Sequence, residues 1–223
     1  MAAVSHLHHT LTVDGFEEKY EWPRPLRNSY NLGLLPLVKR FRIRTDHRYP
    51  KHFTPEMLDG RTLRYFSALT NVQELEIDHL DIQKLMPRIR RYFKNFLPTL
   101  RSLALKGPKG TCRQILYFIG LFQHLEDLAL HYQPPGRWQA VGGLKLIPLF
   151  APPLRGRLTM TNISSVDLLK DMVHLFGGIR FRYVDLFYVQ KAWLWIDACV
   201  ETLETLRFYP TSEQPSERRT SSS

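Results

Sequence analysis

Cysteine is nearly absent from this chain. Cys112 and Cys199 are the only two among 223 residues, and they stand far apart without metal-type spacing. That excludes a disulfide scaffold and a cysteine-rich zinc module, and it fits a reducing compartment, cytoplasmic or nuclear. No apolar run reaches the length of about 18 residues that a membrane span requires. The opening MAAVSHLHHTLTVDG lacks a basic start followed by an apolar core, so secretion is not expected. The Asn162-Ile163-Ser164 sequon is accordingly read as a coincidence. His6, His8 and His9 cluster without a second ligand group at a recognisable spacing, so no metal is expected. Catalytic signatures are missing too: there is no nucleophile elbow and no phosphate-cradling glycine loop. Lys106-Gly107-Pro108-Lys109-Gly110-Thr111 lacks the spacing and the terminal Gly-Lys-Ser/Thr of such a loop. Asp127 and His131 fall on a strand and its exit rather than on one helix face. The expectation is a non-enzyme without a cofactor.

What the chain has is repetition. One apolar spacing, Φ-x-x-Φ-x-x-Φ-x-Φ, occurs at Leu69, Val72, Leu75, Ile77, then at Leu97, Leu100, Leu103, Leu105, and again at Phe122, Leu125, Leu128, Leu130. A spacing of three giving way to a spacing of two reads as a helix end feeding a short strand. The pattern recurs at Leu35, Val38, Phe41, Ile43 and at Val200, Leu203, Leu206, Phe208. Phe181, Val184 and Leu186 form a shortened copy, and Leu158 with Met160 a weaker one. The third apolar positions fall at 41, 75, 103, 128, 158, 184 and 206, giving intervals of 34, 28, 25, 30, 26 and 22. Most lie near the roughly 20–29 residues of leucine-rich repeats. The predicted fold is α/β: an irregular leucine-rich-repeat solenoid, or horseshoe, with parallel concave strands and helices on the convex side. Residues 1–34 form an irregular N-terminal segment or a partial first repeat, 35–209 the array, and 210–223 a polar, disordered tail.

Between the strands, Trp22-Pro23-Arg24-Pro25 reads as an extended connection. Thr54-Pro55-Glu56 looks like a helix start. A helix over about 82–95 would bury Leu85, Met86, Ile89, Tyr92 and Phe93, with Pro87 tolerated in its first turns. Thr111 is placed to cap a helix through Ile119. Ser164-Ser165 caps another over 166–176, which Gly177-Gly178 stops, and a last helix runs from Lys191 to Thr202. HYQPPGRWQAVGG reads as a long structured loop.

Strand residues flanking the inward leucines point to the concave surface. Arg40, Arg42 and Arg44 then lie on one strand and Glu74, Glu76 and Asp78 on the next. Cross-strand pairing, worth about 0.2–1 kcal/mol per pair, and a polarised recognition surface both account for this. Later strands present Tyr183, Asp185, Phe187, Arg207 and Tyr209, residue types that suit a protein-binding hot spot unless a loop or the tail covers them. The strongest charge signal runs from Lys84 to Arg113: nine basic residues and no acid between Asp81 and Glu126, in a chain of net charge +10. A nucleic-acid or anionic-membrane patch using Lys84, Arg88, Arg90, Arg91 and Lys94 is the functional reading, and a solvated exterior the ordinary one.

The strings NVQELEIDHLD, LPTLRSLALKGP, QHLEDLAL and WIDACVETLETLRF resemble the irregular leucine-rich-repeat regions of basidiomycete fungal F-box-like proteins, over most of 35–209. In that family an N-terminal F-box recruits the adaptor of a cullin–RING ubiquitin ligase and the repeats bind substrate. The resemblance therefore implies an unknown protein partner on the concave face. No proline-led F-box helix precedes the repeats here, so the adaptor is expected only for a longer form. Asparagine is also missing after the strands, where Asp46, Leu80 and Pro108 stand, which implies shallow, irregular curvature. The leading expectation is non-catalytic protein recognition, with nucleic-acid binding through 84–113 as the alternative and no membrane association.

Overall fold

A computed structural model describes residues 10–14, 24–44, 60–131, 154–163, 166–176 and 178–210. The predicted helix start at Thr54, the loop from Tyr132 onward, the cap at Ser164-Ser165 and the N-terminal histidines lie outside these residues.

Eight strands make one sheet: Thr10–Asp14 (β1), Arg40–Arg44 (β2), Glu74–Asp78 (β3), Ser102–Lys106 (β4), Asp127–His131 (β5), Leu154–Thr161 (β6), Ile179–Phe187 (β7) and Thr205–Tyr209 (β8). Every neighbouring pair is parallel, and the order across the sheet is the order in sequence. The third apolar position of each repeat occupies a single row across it. Leu11, Phe41, Leu75, Leu103, Leu128, Leu158, Val184 and Leu206 are successive register partners. Alternate strand residues are buried, so one face of the sheet packs into the core and the other stays open.

The helices are Arg24–Asn31 (α1), Gly60–Ala68 (α2), Ile82–Leu85 (α3), Ile89–Phe93 (α4), Cys112–Ile119 (α5), Val166–Phe176 (α6) and Ala192–Cys199 (α7). Two expectations change here. Arg24-Pro25 is not extended but opens α1, because a proline in the first helical turn forfeits only an N–H with no intrahelical partner. The helix expected over 82–95 is broken into α3, a 3-10 turn at Met86–Arg88, and α4. Pro87 has no N–H to give, so the tighter turn forms there. Both helical pieces still turn Ile82, Leu85, Ile89, Tyr92 and Phe93 inward.

Edge-to-face phenylalanines tie the units together. Phe41 meets Phe66 at 5.6 Å, Phe66 meets Phe93 at 6.4 Å, Phe93 meets Phe118 at 4.9 Å, and Phe118 meets Phe122 at 5.2 Å. Each such pair adds about 0.5–1.5 kcal/mol beyond area burial. Polar side chains also reach back one unit. Asn71 Nδ2 donates to the Pro36 carbonyl at 2.7 Å, Asn95 Nδ2 to Ser67 at 2.8 Å, and Thr99 Oγ1 to Val72 at 2.7 Å. These bonds sit before the strands rather than after them, which is where asparagine was sought. They give carbonyls of the connecting segments a partner in the next unit.

Thr111 caps α5 in a full capping box: its hydroxyl accepts from the Gln114 N–H at 3.2 Å, and Gln114 Oε1 accepts from the Thr111 N–H at 2.9 Å. Thr111→Ala is expected to lower stability by about 1 kcal/mol, read from the chemical denaturation midpoint. A change under about 0.3 kcal/mol would mean that water replaces the cap.

Candidate functional site

The open face of the sheet carries the chain's densest array of charged and aromatic groups, and register sets who meets whom. Arg40 stands opposite Glu74 and Arg42 opposite Glu76. Both pairs form ion pairs: Arg40 donates two hydrogen bonds to the Glu74 carboxylate, one of them 2.8 Å from Nη2 to Oε1. Arg42 Nε lies 3.0 Å from Glu76 Oε2 but makes no well-oriented hydrogen bond. Arg44 Nη2 is 3.9 Å from the same carboxylate, and Lys106 from β4 hydrogen-bonds to it directly. Glu76 is thus the hub for three cations. Burial alone would raise its pKa, but the Lys106 hydrogen bond and the charges of Lys106, Arg42 and Arg44 together hold it below the usual glutamate value.

Asp78, two residues on, is different. It is 4% exposed, Lys106 Nζ is 3.9 Å from its Oδ1, and that oxygen accepts no hydrogen bond. Burial pushes its pKa up, and Lys106 offsets this only partly. His131, paired with Lys106 across the next strand, is held below its ordinary value by burial and then by the Lys106 charge.

Farther along the face the chemistry becomes aromatic. Arg157 lies over the Tyr183 ring at 5.6 Å, and Phe187 and Tyr209 stack at 4.7 Å with 12° between planes. Arg207 Nε stands 3.9 Å from Asp185 Oδ1, with its side chain 70% exposed. Among the described strands β8 is the last, with none paired to its outer edge. In β8 even the core-side residues are uncovered, Leu206 at 40% and Phe208 at 46%, whereas their register partners Val184 and Leu186 are buried. Exposed Trp193 and Val200 belong to the same C-terminal unit.

The structure therefore divides the eleven residues singled out on this face. Arg40, Arg42, Arg44, Glu74, Glu76 and Asp78 are brought into one ionic network. Tyr183, Arg207 and Tyr209, exposed, and Asp185 and Phe187, half-buried, form a group at the other end. Lys106 and Arg157 complete the two groups on this face without standing among the eleven, while Leu206 and Phe208 lie uncovered on the opposite side of β8. For Lys106 the signal was present, since it stands three places past Leu103 as Asp78 does past Leu75. Across this face the carboxylates Glu74, Glu76, Asp78, Asp127 and Asp185 nearly match Arg40, Arg42, Arg44, Lys106, Arg157 and Arg207. A further set of basic residues lies elsewhere.

It lies on the helices. Lys84, Arg88, Arg90, Arg91 and Lys94 are all exposed. Of the nine basic residues between 84 and 113, Arg101, Lys106, Lys109 and Arg113 are ion-paired to Glu126, Glu76, Asp81 and Asp171. Among the described residues the other five have no ion pair.

Among the described residues no group of three or more His, Cys, Asp or Glu side chains is placed to hold a metal ion. No described helix is long and apolar enough to cross a membrane. No family model, curated protein or solved structure matches this chain.

Proposed function

We propose that this chain is a non-catalytic protein-recognition module built as an irregular leucine-rich-repeat solenoid, with the open sheet face as its concave surface. Sequential parallel strands at repeat-like intervals, each unit packed on its neighbours, support the solenoid reading. The observation that carries the function is the C-terminal end of the sheet. There Tyr183, Tyr209, Arg207, Leu206 and Phe208 lie exposed, with half-buried Phe187 stacked on Tyr209, beside a strand edge that no described strand pairs. Aromatic and arginine side chains of this kind dominate binding energy at protein interfaces, and a free edge offers backbone groups to an extended partner segment. The ionic network around Glu76 ties β2, β3 and β4 together at the other end of the same face. The resemblance to F-box repeats supports a substrate protein as the partner, with a ligase adaptor joining only through a longer form. Cys112 and Cys199, buried and not joined in a disulfide, suit a cytoplasmic or nuclear setting.

Affinity capture of a discrete protein set that survives a high-salt wash, identified by quantitative mass spectrometry, tests this. Phe187→Ser with Tyr209→Ser is expected to deplete that set at least tenfold, as hot-spot losses above about 1.4 kcal/mol do. Identical eluates from the wild type and the double variant, the latter confirmed folded by circular dichroism, would refute the proposed surface.

A further inference from the structure

We propose that the helical layer from α1 to α5 is a second binding surface, which holds the phosphate backbone of a nucleic-acid duplex without reading its sequence. The proposal is independent of the protein-recognition site, because it uses the face of the molecule turned away from the open side of the sheet.

Charge is segregated by layer. The sequences of α1, α2, α3, α4 and α5 contain no aspartate or glutamate. The acids among described residues 24–125 are Glu74, Glu76, Asp78 and Asp81. All four are engaged by cations outside the helices: Arg40, Arg42 with Arg44, Lys106 and Lys109. Among the described residues the one helical cation of α1 to α5 with an ion pair is Arg113, to Asp171. Lys84, Arg88, Arg91 and Lys94 are exposed and unpaired among the described residues, as are Arg27 on α1 and Arg64 on α2. Packing of α1 on α2, α2 on α4 and α3 on α5 joins these groups into one surface. Arg90, 5.9 Å above the Tyr117 ring of α5, is held in place by that contact.

Three further features choose the occupant. Guanidinium groups outnumber ammonium groups in the 84–94 segment, and the planar fork of arginine matches phosphate oxygens. No large apolar side chain is exposed among described residues 64–131, and those exposed nearby, Tyr30, Leu32 and Leu37, belong to α1 and the turn after it. The α3–α5 part of the surface thus has nothing to insert into a lipid interface, which interfacial helices require. Tyr92, Phe93 and Phe96 are buried and Tyr117 lies beneath Arg90, so the α3–α5 part of the surface offers no free aromatic platform for unstacked bases. A double-stranded polyanion bound through its phosphates remains.

Fluorescence anisotropy of the full chain with labelled 20-base-pair duplexes tests this. Two unrelated DNA sequences and one RNA duplex are titrated between 50 and 200 mM NaCl. Equal affinity for the two DNA sequences is expected, with a log–log salt slope of about −4 to −5 for roughly five phosphate contacts. Arg88→Gln with Arg90→Gln and Arg91→Gln should weaken binding at least tenfold at 100 mM NaCl and make the slope shallower by about 2–3. Lys84→Gln with Lys94→Gln should act the same way more weakly, while Phe187→Ser with Tyr209→Ser should leave duplex binding unchanged. Absence of binding at 50 mM NaCl would overturn the proposal, as would wild-type behaviour of the folded triple variant. So would binding to phosphatidylserine vesicles without binding to duplexes.

Discussion

Gly156→Ala is expected to lower stability by about 3 kcal/mol, the scale of a severe local backbone conflict. Gly156 has φ +84°, a region that side-chain-bearing residues rarely adopt. An added Cβ would lie 2.1 Å from the carbonyl oxygen of Glu126, a backbone atom with no freedom to swing aside. That carbonyl also accepts the Arg157 N–H at 2.9 Å, the bond that docks β6 onto β5. Gly156 marks the irregularity where the register between β6 and β7 shifts. The conflict therefore falls at the junction between five strands on one side and the last three on the other. For a chain of this length, about 3 kcal/mol corresponds to a fall in Tm of roughly 6–12 °C. Because each strand contacts only its neighbours, the damage should also be directional. Hydrogen exchange is expected to rise in β6, β7 and β8 while β2, β3 and β4 keep their protection. A uniform rise across the sheet would mean that the molecule unfolds as one unit. An unchanged Tm would show that the approach of Gly156 to Glu126 is looser than described.

Glu76→Gln and Asp78→Asn, two places apart on the same strand, are expected to move stability in opposite directions at pH 7. Glu76 has its pKa held below the ordinary 4.5, so it binds fewer protons folded than unfolded. Its contribution is present above about pH 4.5 and is lost as pH falls through the lower folded value. Glutamine there leaves Arg42, Arg44 and Lys106 facing one another without their shared anion, a loss of about 2 kcal/mol at neutral pH. Asp78 has its pKa raised above the ordinary 3.8, so the folded state takes up its proton more readily. The penalty for its buried charge is absent at low pH and grows as pH rises through the folded value. Asparagine keeps the shape and removes the charge, for a gain of about 1 kcal/mol at pH 7 that vanishes toward pH 4. Thermal unfolding of the three proteins between pH 4 and 7 decides this. Destabilisation by both substitutions at pH 7 would mean that Lys106 depends on Asp78 as much as on Glu76.

The repeated apolar spacing was enough to place the core. Its third positions, from Phe41 to Leu206, are the residues that the sheet aligns in one row, because inward side chains of a parallel array have only one register that stacks them. The same alternation placed Arg40, Arg42, Glu74 and Glu76 on one face and made their pairing readable before any coordinates. Caps were legible as well, since a Thr-x-x-Gln box such as Thr111 to Gln114 is a local interaction with a local signal.

Where distant residues meet, sequence alone was silent. Pro87 in a strongly apolar-periodic stretch did not reveal that the helix would break into α3 and α4, because tertiary packing of Ile82 through Phe93 decides how the break is absorbed. The burial of Asp78 beside an exposed neighbouring pair depends on the strands on both sides of it. Likewise, a basic run of nine residues reads as one patch along the chain, yet acids from other units neutralise four of them and leave five on the helical layer. Leu206 and Phe208 match the buried pattern of every earlier repeat and are nonetheless exposed, since burial in a stacked array comes from the next unit and no described strand follows β8 in the sheet. Periodicity is a property of one segment and can be read from it. Exposure and charge compensation are properties of neighbours, and only the folded arrangement supplies them.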